Sequence, residues 1–425
     1  MYGSFKTVNL IYQHNKKATV FILDKPDRDI TADITLPASK SISNRLLIIQ
    51  ALSPRPFHID NLSDSNDTRV LKDALASTQD IIDIGHAGTS MRFLTGYYSI
   101  RPGEKILTGS DRMKHRPIGE LVKALTMLGA DIQYLENEGF PPLRIRGKKL
   151  EGGKITVNST ISSQFISTLL MIAPALKHGL ELNLEGDAVS PAYIKLTLSL
   201  MHLFGIRYEW KGSGITVPHQ IYKPVDMTVE ADWSSASYWY EMAAMAENVN
   251  LILRGLSQSS FQGDSVLAAI FERFGVKTKY INGAVKLRNE SSGISRFDYN
   301  FIDQPDLVQT FGVLCALKGI PFRFYGTVTL RVKETDRVSA LKKELAKFGI
   351  SLRSASDGSW IEFDGAFNIP KGTIKIRTYQ DHRMAMAFAP AAMLGCIIGI
   401  DNPGVVSKSY PGFWEDIESA GFRIK

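Results

Sequence analysis

The feature that most constrains the fold is a repeat. An amphipathic helical stretch that closes on glycine and runs into a short alternating segment recurs as LVKALTMLGADIQY, LTLSLMHLFGIRYEW, VLAAIFERFGVKTKY, LKKELAKFGISLR and FWEDIESAGFRIK. The closing glycines are Gly129, Gly205, Gly275, Gly349 and Gly421, spaced by 70 to 76 residues. A residue without Cβ adopts the left-handed C-cap at little cost, and the β-branched or aromatic alternation that follows predicts a strand. Residues 70–85, VLKDALASTQDIIDIG, read as a sixth, degenerate copy that lacks the capping glycine. Units of this length, repeated along nearly the whole 425-residue chain, argue against a doubly wound sheet with one nucleotide crevice. They predict an α/β fold of two similar lobes, three units each, with a cleft between them.

The partner class follows from charge. The chain is 44% hydrophobic and 22% charged, the balance of a soluble globular protein, with a net charge of +7. Its lysines and arginines are spread out, with no long basic run or tail, so small anions are favoured over nucleic acid. The two cysteines, Cys315 and Cys396, each lie in an apolar run without a second metal ligand; both read as buried thiols of a reducing compartment. The N-terminal MYGSFKTVNLIYQHNKK has no apolar signal-peptide core. Met384–Ile400 is uncharged, but Pro390, Gly395 and Gly399 interrupt it and it is short for a membrane span. It is expected to be a buried helix followed by a buried strand.

Cations then gather near expected helix starts. In LPASKSISNRLLIIQAL, Ser39 is a good N-cap, Ser41 and Arg45 share a helix face, and Lys40 sits in the first turn. The helix dipole disfavours a cation there unless an anion binds. GHAGTSMRF, with Gly88, is a small-residue loop whose backbone N–H groups can approach an oxyanion. Arg112, Lys114, His115 and Arg116 crowd ahead of Pro117, and Ser162, Ser163 and Gln164 precede an apolar helical run, a pattern suited to phosphate. Asp306 follows Pro305 at the mouth of a buried helix, where capping is the plain alternative. In VKETDRVSALKKEL, Thr335 is the expected N-cap, which leaves Lys333 and Glu334 in the entry loop and Arg337 in the first turn. Asp381 is expected to cap the helix carrying Arg383, and Lys408 lies in a loop before the last helix. Lys114 and His115 read as a solvated basic loop, but Lys40, Arg45, Arg116, Lys333, Arg337, Arg383 and Lys408 together predict a cleft for a polyanionic substrate, with Asp306 and Glu334 as the acid/base candidates. No Walker loop, dinucleotide fingerprint or metal-ligand cluster is apparent.

In order, LPASKSISNR, NLSDSNDTR, AGTSMR, LTGSDRMKHRPIG, SSQF, ADWSSASY, RVKETDR, QDHRMAMAF and SKSYPGFW resemble the motifs of the 5-enolpyruvylshikimate-3-phosphate (EPSP) synthase family, from about Ile34 to the C-terminus. The resemblance implies an enolpyruvyl transferase-like inside-out α/β barrel: two lobes of three βαβαββ units, crossing near Ala38 and Glu230, with the active site between them. One lobe would span 39–230 and the other 1–38 plus 231–425. It also implies a cytoplasmic enzyme, expected to be a monomer, of the shikimate pathway to chorismate and aromatic amino acids, working without metal or organic cofactor. Such an enzyme moves the enolpyruvyl group of phosphoenolpyruvate to the 5-hydroxyl of shikimate 3-phosphate and releases phosphate.

By motif, Ser41, Arg45, Ser162, Ser163, Gln164, Ser190, Tyr193, Asp306 and Lys333 would hold shikimate 3-phosphate. Gly88, Arg116, Gln164, Arg337, Arg383 and Lys408 would hold phosphoenolpyruvate, and Lys40 would serve both substrates. Asp306 would take the hydroxyl proton and Glu334 would protonate the methylene carbon.

Four positions depart from the expected pattern: Ala38, His86, Phe93 and Thr329. The first 25 or so residues match nothing in it and are expected to be dispensable for catalysis. The related UDP-N-acetylglucosamine enolpyruvyl transferases are the alternative. They typically carry a cysteine in the loop corresponding to Thr108–Arg116, which has none here, and Lys40 is followed by Ser41 rather than Asn.

Overall fold

The structure is a computed structural model that describes residues 20–160, 162–186, 190–368 and 372–425. Two separate hydrophobic cores organise these residues. One is built from residues between Ala38 and Val229, the other from Leu23–Leu36 together with residues between Ala231 and Phe422. The chain passes between them twice, side by side: Ala38 bridges Ala231, Ser39 N–H donates to Glu230 O at 2.9 Å, and Asp232 N–H donates to Pro37 O at 2.8 Å.

The repeating unit is clearest around residues 81–147. Strand Ile81–Asp83 leads through helix Gly88–Ser99 to the parallel strand Gly103–Thr108. Helix Gly119–Met127 follows, and strands Asp131–Tyr134 and Leu143–Gly147 close the sheet as an antiparallel pair. All five predicted capping glycines have positive φ, from 71° at Gly349 to 97° at Gly129, so the chain reverses where the repeat requires it. Sheets lie outside and helices within. Helix Trp233–Met245 is buried along its whole length, as is Val308–Leu317.

Two expectations need correcting. Residues 70–85 do not form a complete copy. Helix Asn66–Ala76 ends at Ser77 in extended backbone (φ −75°, ψ 134°), so without a left-handed cap the chain runs outward. Strand Ile81–Asp83 therefore opens the next unit instead of closing this one. The sixth unit has only the parallel pair Ile59–Asp60 and Met227–Thr228, with helices Lys40–Leu52 and Asn66–Ala76. The second correction concerns the N-terminus. Residues 1–19 lie outside the described residues, but Val20–Asp24 is an inner strand, paired with Ile397–Asp401 on one side and Arg423–Ile424 on the other. Leu23 is fully buried there, so this part of the segment is structural and not dispensable.

The uncharged run behaves as read. It forms helix His382–Phe388, a 3-10 turn Ala389–Leu394 and strand Ile397–Asp401 inside the second core. Cys315 and Cys396 are buried free thiols. Among the described residues no helix is long and apolar enough to cross a membrane.

Candidate functional site

A cleft separates the two cores, and every site residue predicted from the sequence lines it except Lys408. One wall comes from the residues between the two crossings, including Lys40, Arg45, Arg116, Gln164 and Tyr193; the other carries Asp306, Lys333, Glu334, Arg337 and Arg383. Three contacts tie the walls together. Tyr193 Oη donates to Asp306 Oδ2 at 2.7 Å, Ser190 N–H donates to Ile302 O at 2.9 Å, and Arg112 donates to the carbonyls of Glu334 (3.2 Å) and Lys333 (3.3 Å).

The first wall is made of helix starts. Ser39 caps Lys40–Leu52 through Ile42 N–H, as predicted, and Lys40 occupies the first helical position. Asp67 Oδ2, 3.2 Å from Lys40 Nζ, offsets part of the dipole penalty. Arg45 is buried, donating to Thr197 Oγ1 (2.7 Å), Ser41 O (2.9 Å) and Ser167 Oγ (3.2 Å). Burial pulls its pKa down to about 10. Phe93 lies beneath it, with the guanidinium 5.5 Å from the ring centre. Ser162 caps Ser163–Ile172 through Gln164 N–H, and Gln164 Nε2 donates to Thr89 Oγ1 at 3.1 Å. Ser190 stands in left-handed backbone (φ 55°) ahead of helix Pro191–Leu203. Gly88 lies against the Arg116 guanidinium, which a Cβ at this position would displace.

The second wall is an ion network centred on Arg337, which is buried. Its Nε donates to Asp381 Oδ2 (2.7 Å), its Nη1 to Asp306 Oδ1 (2.9 Å) and its Nη2 to Glu334 Oε2 (2.9 Å). Burial lowers the Arg337 pKa, but Asp381, Glu334 and Asp306 outweigh it and the net shift is upward. Arg383 Nη2 meets Asp306 Oδ2 at 2.9 Å. Asp306 is therefore no simple cap. It sits in the 3-10 turn Pro305–Leu307 with its carboxylate turned to two guanidiniums and a phenol. Burial raises its pKa, yet Arg383, Lys333 and Arg337 hold it well below the usual carboxylate range. Glu334 behaves alike: burial raises it, and Arg337, Arg116, His382 and Lys40 bring it well below. Burial lowers the Lys333 pKa, against the pull of Asp306.

The N-cap of helix Arg337–Ala346 is Asp336, which accepts from Ser339 N–H at 3.0 Å, not the expected Thr335. Asp381 caps His382–Phe388 as predicted, accepting from Arg383 N–H at 3.0 Å while also holding Arg337. The turn before it is unusual. Asp381 N–H donates to Thr378 O at 2.9 Å, and both central residues are left-handed, Tyr379 at φ 54° and Gln380 at φ 60°. Two positive φ values mark a type I′ turn, a place for Asn and Gly. Left-handed backbone costs other residues roughly 1–2 kcal/mol each. Lys408 Nζ donates to Gln380 O at 2.7 Å. It lines an adjoining cavity with His86 and Gln380 that shares Arg116 and Glu334 with the cleft. His86 Nδ1 is 2.8 Å from Ser110 Oγ, and Thr329 belongs to the cleft wall.

Sequence reasoning gave no role to Asp67, Arg92 or His382. Arg92 is buried and spans two loops, donating to Gly88 O (3.1 Å) and Pro117 O (2.9 Å). His382 lines the cleft, and neither ring nitrogen has a hydrogen-bond partner among the described residues. Burial, with Lys40 and Arg383 nearby, holds its pKa well below the usual histidine value. All three lie within the quoted motifs, but Lys40 beside Asp67 and Pro117 beside Arg92 are distant in sequence. Among the described residues no group of three His, Cys, Asp or Glu is placed to hold a metal ion.

With this geometry established, the chain can be set beside known proteins. Residues 71–417 match the family described as EPSP synthase (3-phosphoshikimate 1-carboxyvinyltransferase). A Bacteroides fragilis protein named 3-phosphoshikimate 1-carboxyvinyltransferase is 51% identical over 406 residues, covering 95% of this chain and 98% of that one. A Vibrio campbellii protein of the same name is 35% identical over 93% of this chain and 98% of its own length. Among solved structures, EPSP synthase from Acinetobacter baumannii has a TM-score of 0.75 at 21% identity, covering 96% of this chain and 100% of that one. The enolpyruvyl transferase NikO from Streptomyces tendae has a TM-score of 0.72 at 16% identity, covering 96% and 99%. These two likenesses support the two-lobed enolpyruvyl transferase fold, and the sequence matches go further: the chain belongs to the EPSP synthase family, the 3-phosphoshikimate 1-carboxyvinyltransferases.

Proposed function

We propose that this protein transfers the enolpyruvyl group of phosphoenolpyruvate to the 5-hydroxyl of shikimate 3-phosphate and releases phosphate, in the route to chorismate and aromatic amino acids. The observation that carries the mechanism is that the two candidate acid/base groups, Asp306 and Glu334, share one buried guanidinium at 2.9 Å each. The reacting groups would therefore meet between a base and an acid on one rigid support. Arg45, Ser162, Ser163 and Gln164, with Ser41, Ser190, Tyr193 and Lys333, hold shikimate 3-phosphate. Arg116, Arg337, Arg383 and Lys408 hold the donor's phosphate and carboxylate, with the Gly88 backbone beside them. Lys40 contacts both substrates.

Glu334 protonates the methylene carbon of phosphoenolpyruvate. Positive charge develops at C2, and the 5-hydroxyl attacks it while Asp306 takes the hydroxyl proton. The tetrahedral adduct then expels phosphate against the cationic wall while its methyl returns a proton to Glu334, which restores the double bond, and the proton held by Asp306 leaves with the phosphate. Before the donor binds, burial raises the Glu334 pKa, but Arg337, Arg116 and Lys40 outweigh it and hold the carboxyl ionised. Those cations are the ones the donor occupies. Bound phosphate and carboxylate bring negative charge beside Glu334, raise its pKa and leave it able to carry the proton it must give. The lobes are residues 39–230 and residues 1–38 plus 231–425, a division supported by the two cores. The enzyme acts in the cytoplasm as a monomer, with neither metal nor organic cofactor in the chemistry.

The test is phosphate release from phosphoenolpyruvate with each of two acceptors. Release with shikimate 3-phosphate and none with UDP-N-acetylglucosamine is expected; the reverse pattern would overturn the reading.

A further inference from the structure

The turn that delivers Asp381 and receives Lys408 is held open by a residue well outside the cleft. Tyr379 and Gln380, the left-handed pair, have neither the missing Cβ of glycine nor the short amide of asparagine that makes such backbone cheap. What holds them is Glu344, buried two turns along the helix that begins with Arg337. Its Oε1 accepts from Tyr379 Oη at 2.7 Å, and its Oε2 accepts from Arg377 N–H at 2.9 Å and Lys347 Nζ at 2.5 Å. On the other side, Thr378 N–H donates to Asp401 Oδ1 at 2.6 Å. One helix thus carries Arg337 at its start and, through Glu344, fixes the turn whose next residue, Asp381, grips Arg337 at 2.7 Å. The loop closes on itself: Arg337, helix, Glu344, Tyr379, Asp381, Arg337.

We propose that Tyr379 and Glu344 are positioning residues for the donor clamp: their hydrogen bond keeps the left-handed turn in the conformation that sets Arg337, through Asp381, and Lys408, through the Gln380 carbonyl. The inference rests on the reading that Arg337 and Lys408 bind phosphoenolpyruvate. Without the bond, the two residues relax toward ordinary backbone, the carbonyl of Gln380 swings away and Asp381 shifts against Arg337. Neither Tyr379 nor Glu344 lines the main cleft, so shikimate 3-phosphate binding is left largely alone.

The test uses the full chain, first measuring parent turnover with both substrates. A parent with no turnover on this pair refutes the functional reading itself. With an active parent, Tyr379→Phe keeps the ring and removes only the hydroxyl. Its KM for phosphoenolpyruvate is expected to rise roughly tenfold, the scale of a lost hydrogen bond to a charged group, while KM for shikimate 3-phosphate changes less than about twofold. Adding Gln380→Gly, which removes the cost of left-handed backbone, is expected to restore much of the donor KM. An unchanged donor KM in Tyr379→Phe overturns the inference. So does an equal rise for both substrates with a lowered melting temperature and no rescue by glycine, because that pattern belongs to a general structural role.

Discussion

The two walls of the cleft handle charge in opposite ways. On the first, among the described residues, Lys40 is ion-paired with Asp67, while Arg45 and Arg92 are held by hydroxyls, carbonyls and the Met113 sulfur. On the second, Lys333, Arg337 and Arg383 are matched by Asp306, Glu334 and Asp381. The first wall presents cations at helix starts. The second is neutralised by its own carboxylates, two of which, Asp306 and Glu334, are the proposed base and acid. An incoming anion adds charge to the first wall without disturbing it; at the second it must compete with acids for the same guanidiniums. That competition is what couples donor binding to the protonation of Glu334.

If the contrast holds, the same kind of substitution should act differently on the two walls. The largest effect is expected from Arg337→Met, which leaves Asp381 buried without its main cation. Breaking a buried pair this way costs about 3–5 kcal/mol, so denaturant unfolding should shift strongly and turnover should vanish. Preserved stability would show that the network is not the support described here.

Next comes Asp306→Asn, with turnover down by roughly a hundredfold or more if Asp306 is the base. This variant also tests the charge state through pH. Because the folded-state pKa of Asp306 lies below its unfolded value, its stabilisation is fully present above the unfolded pKa and disappears as pH falls through the folded one. The melting-temperature gap between parent and variant should be constant near neutrality and narrow only in the acid range, below the unfolded carboxylate value of about 3.9. A gap that widened on acidification would contradict the assignment.

The smallest effect on the fold is expected from Lys40→Met on the first wall. Its one ion pair among the described residues, with Asp67, is largely buried but opens onto the cleft, so stability should fall by clearly less than in Arg337→Met. Both substrates should nonetheless bind roughly tenfold more weakly or worse. A large loss of stability would erase the distinction between the walls.

How much of this was legible in the sequence differs by element. The glycine-closed repeat was readable because a left-handed C-cap is a local demand met by one residue type, and all five glycines obey it. The acids were readable because carboxylates beside cations at helix starts are few. Whether Thr335 or Asp336 caps the helix was not readable, since both residues cap well; the structure gives the cap to the residue next to Arg337. The inner strand Val20–Asp24 was missed because its partners, Ile397–Asp401 and Arg423–Ile424, lie at the far end of the chain, beyond any local pattern. The left-handed turn was hidden for a different reason. Tyr-Gln carries no turn signal, and the hydrogen bond that Tyr379 Oη donates to Glu344 is a tertiary contact.

The central claim is that Glu334 is ionised before the donor binds and becomes a proton donor once the substrate anions are bound. The most direct measurement compares the pH dependence of kcat/KM for phosphoenolpyruvate with that of kcat. The first reports acids of the enzyme before the donor binds, the second those of the filled complex. The account predicts that the limb lost on deprotonation moves to higher pH in the kcat profile, and that Glu334→Gln removes it along with roughly a hundredfold or more of turnover. Coincident limbs in the two profiles, or near-normal turnover in a folded Glu334→Gln protein, would contradict it.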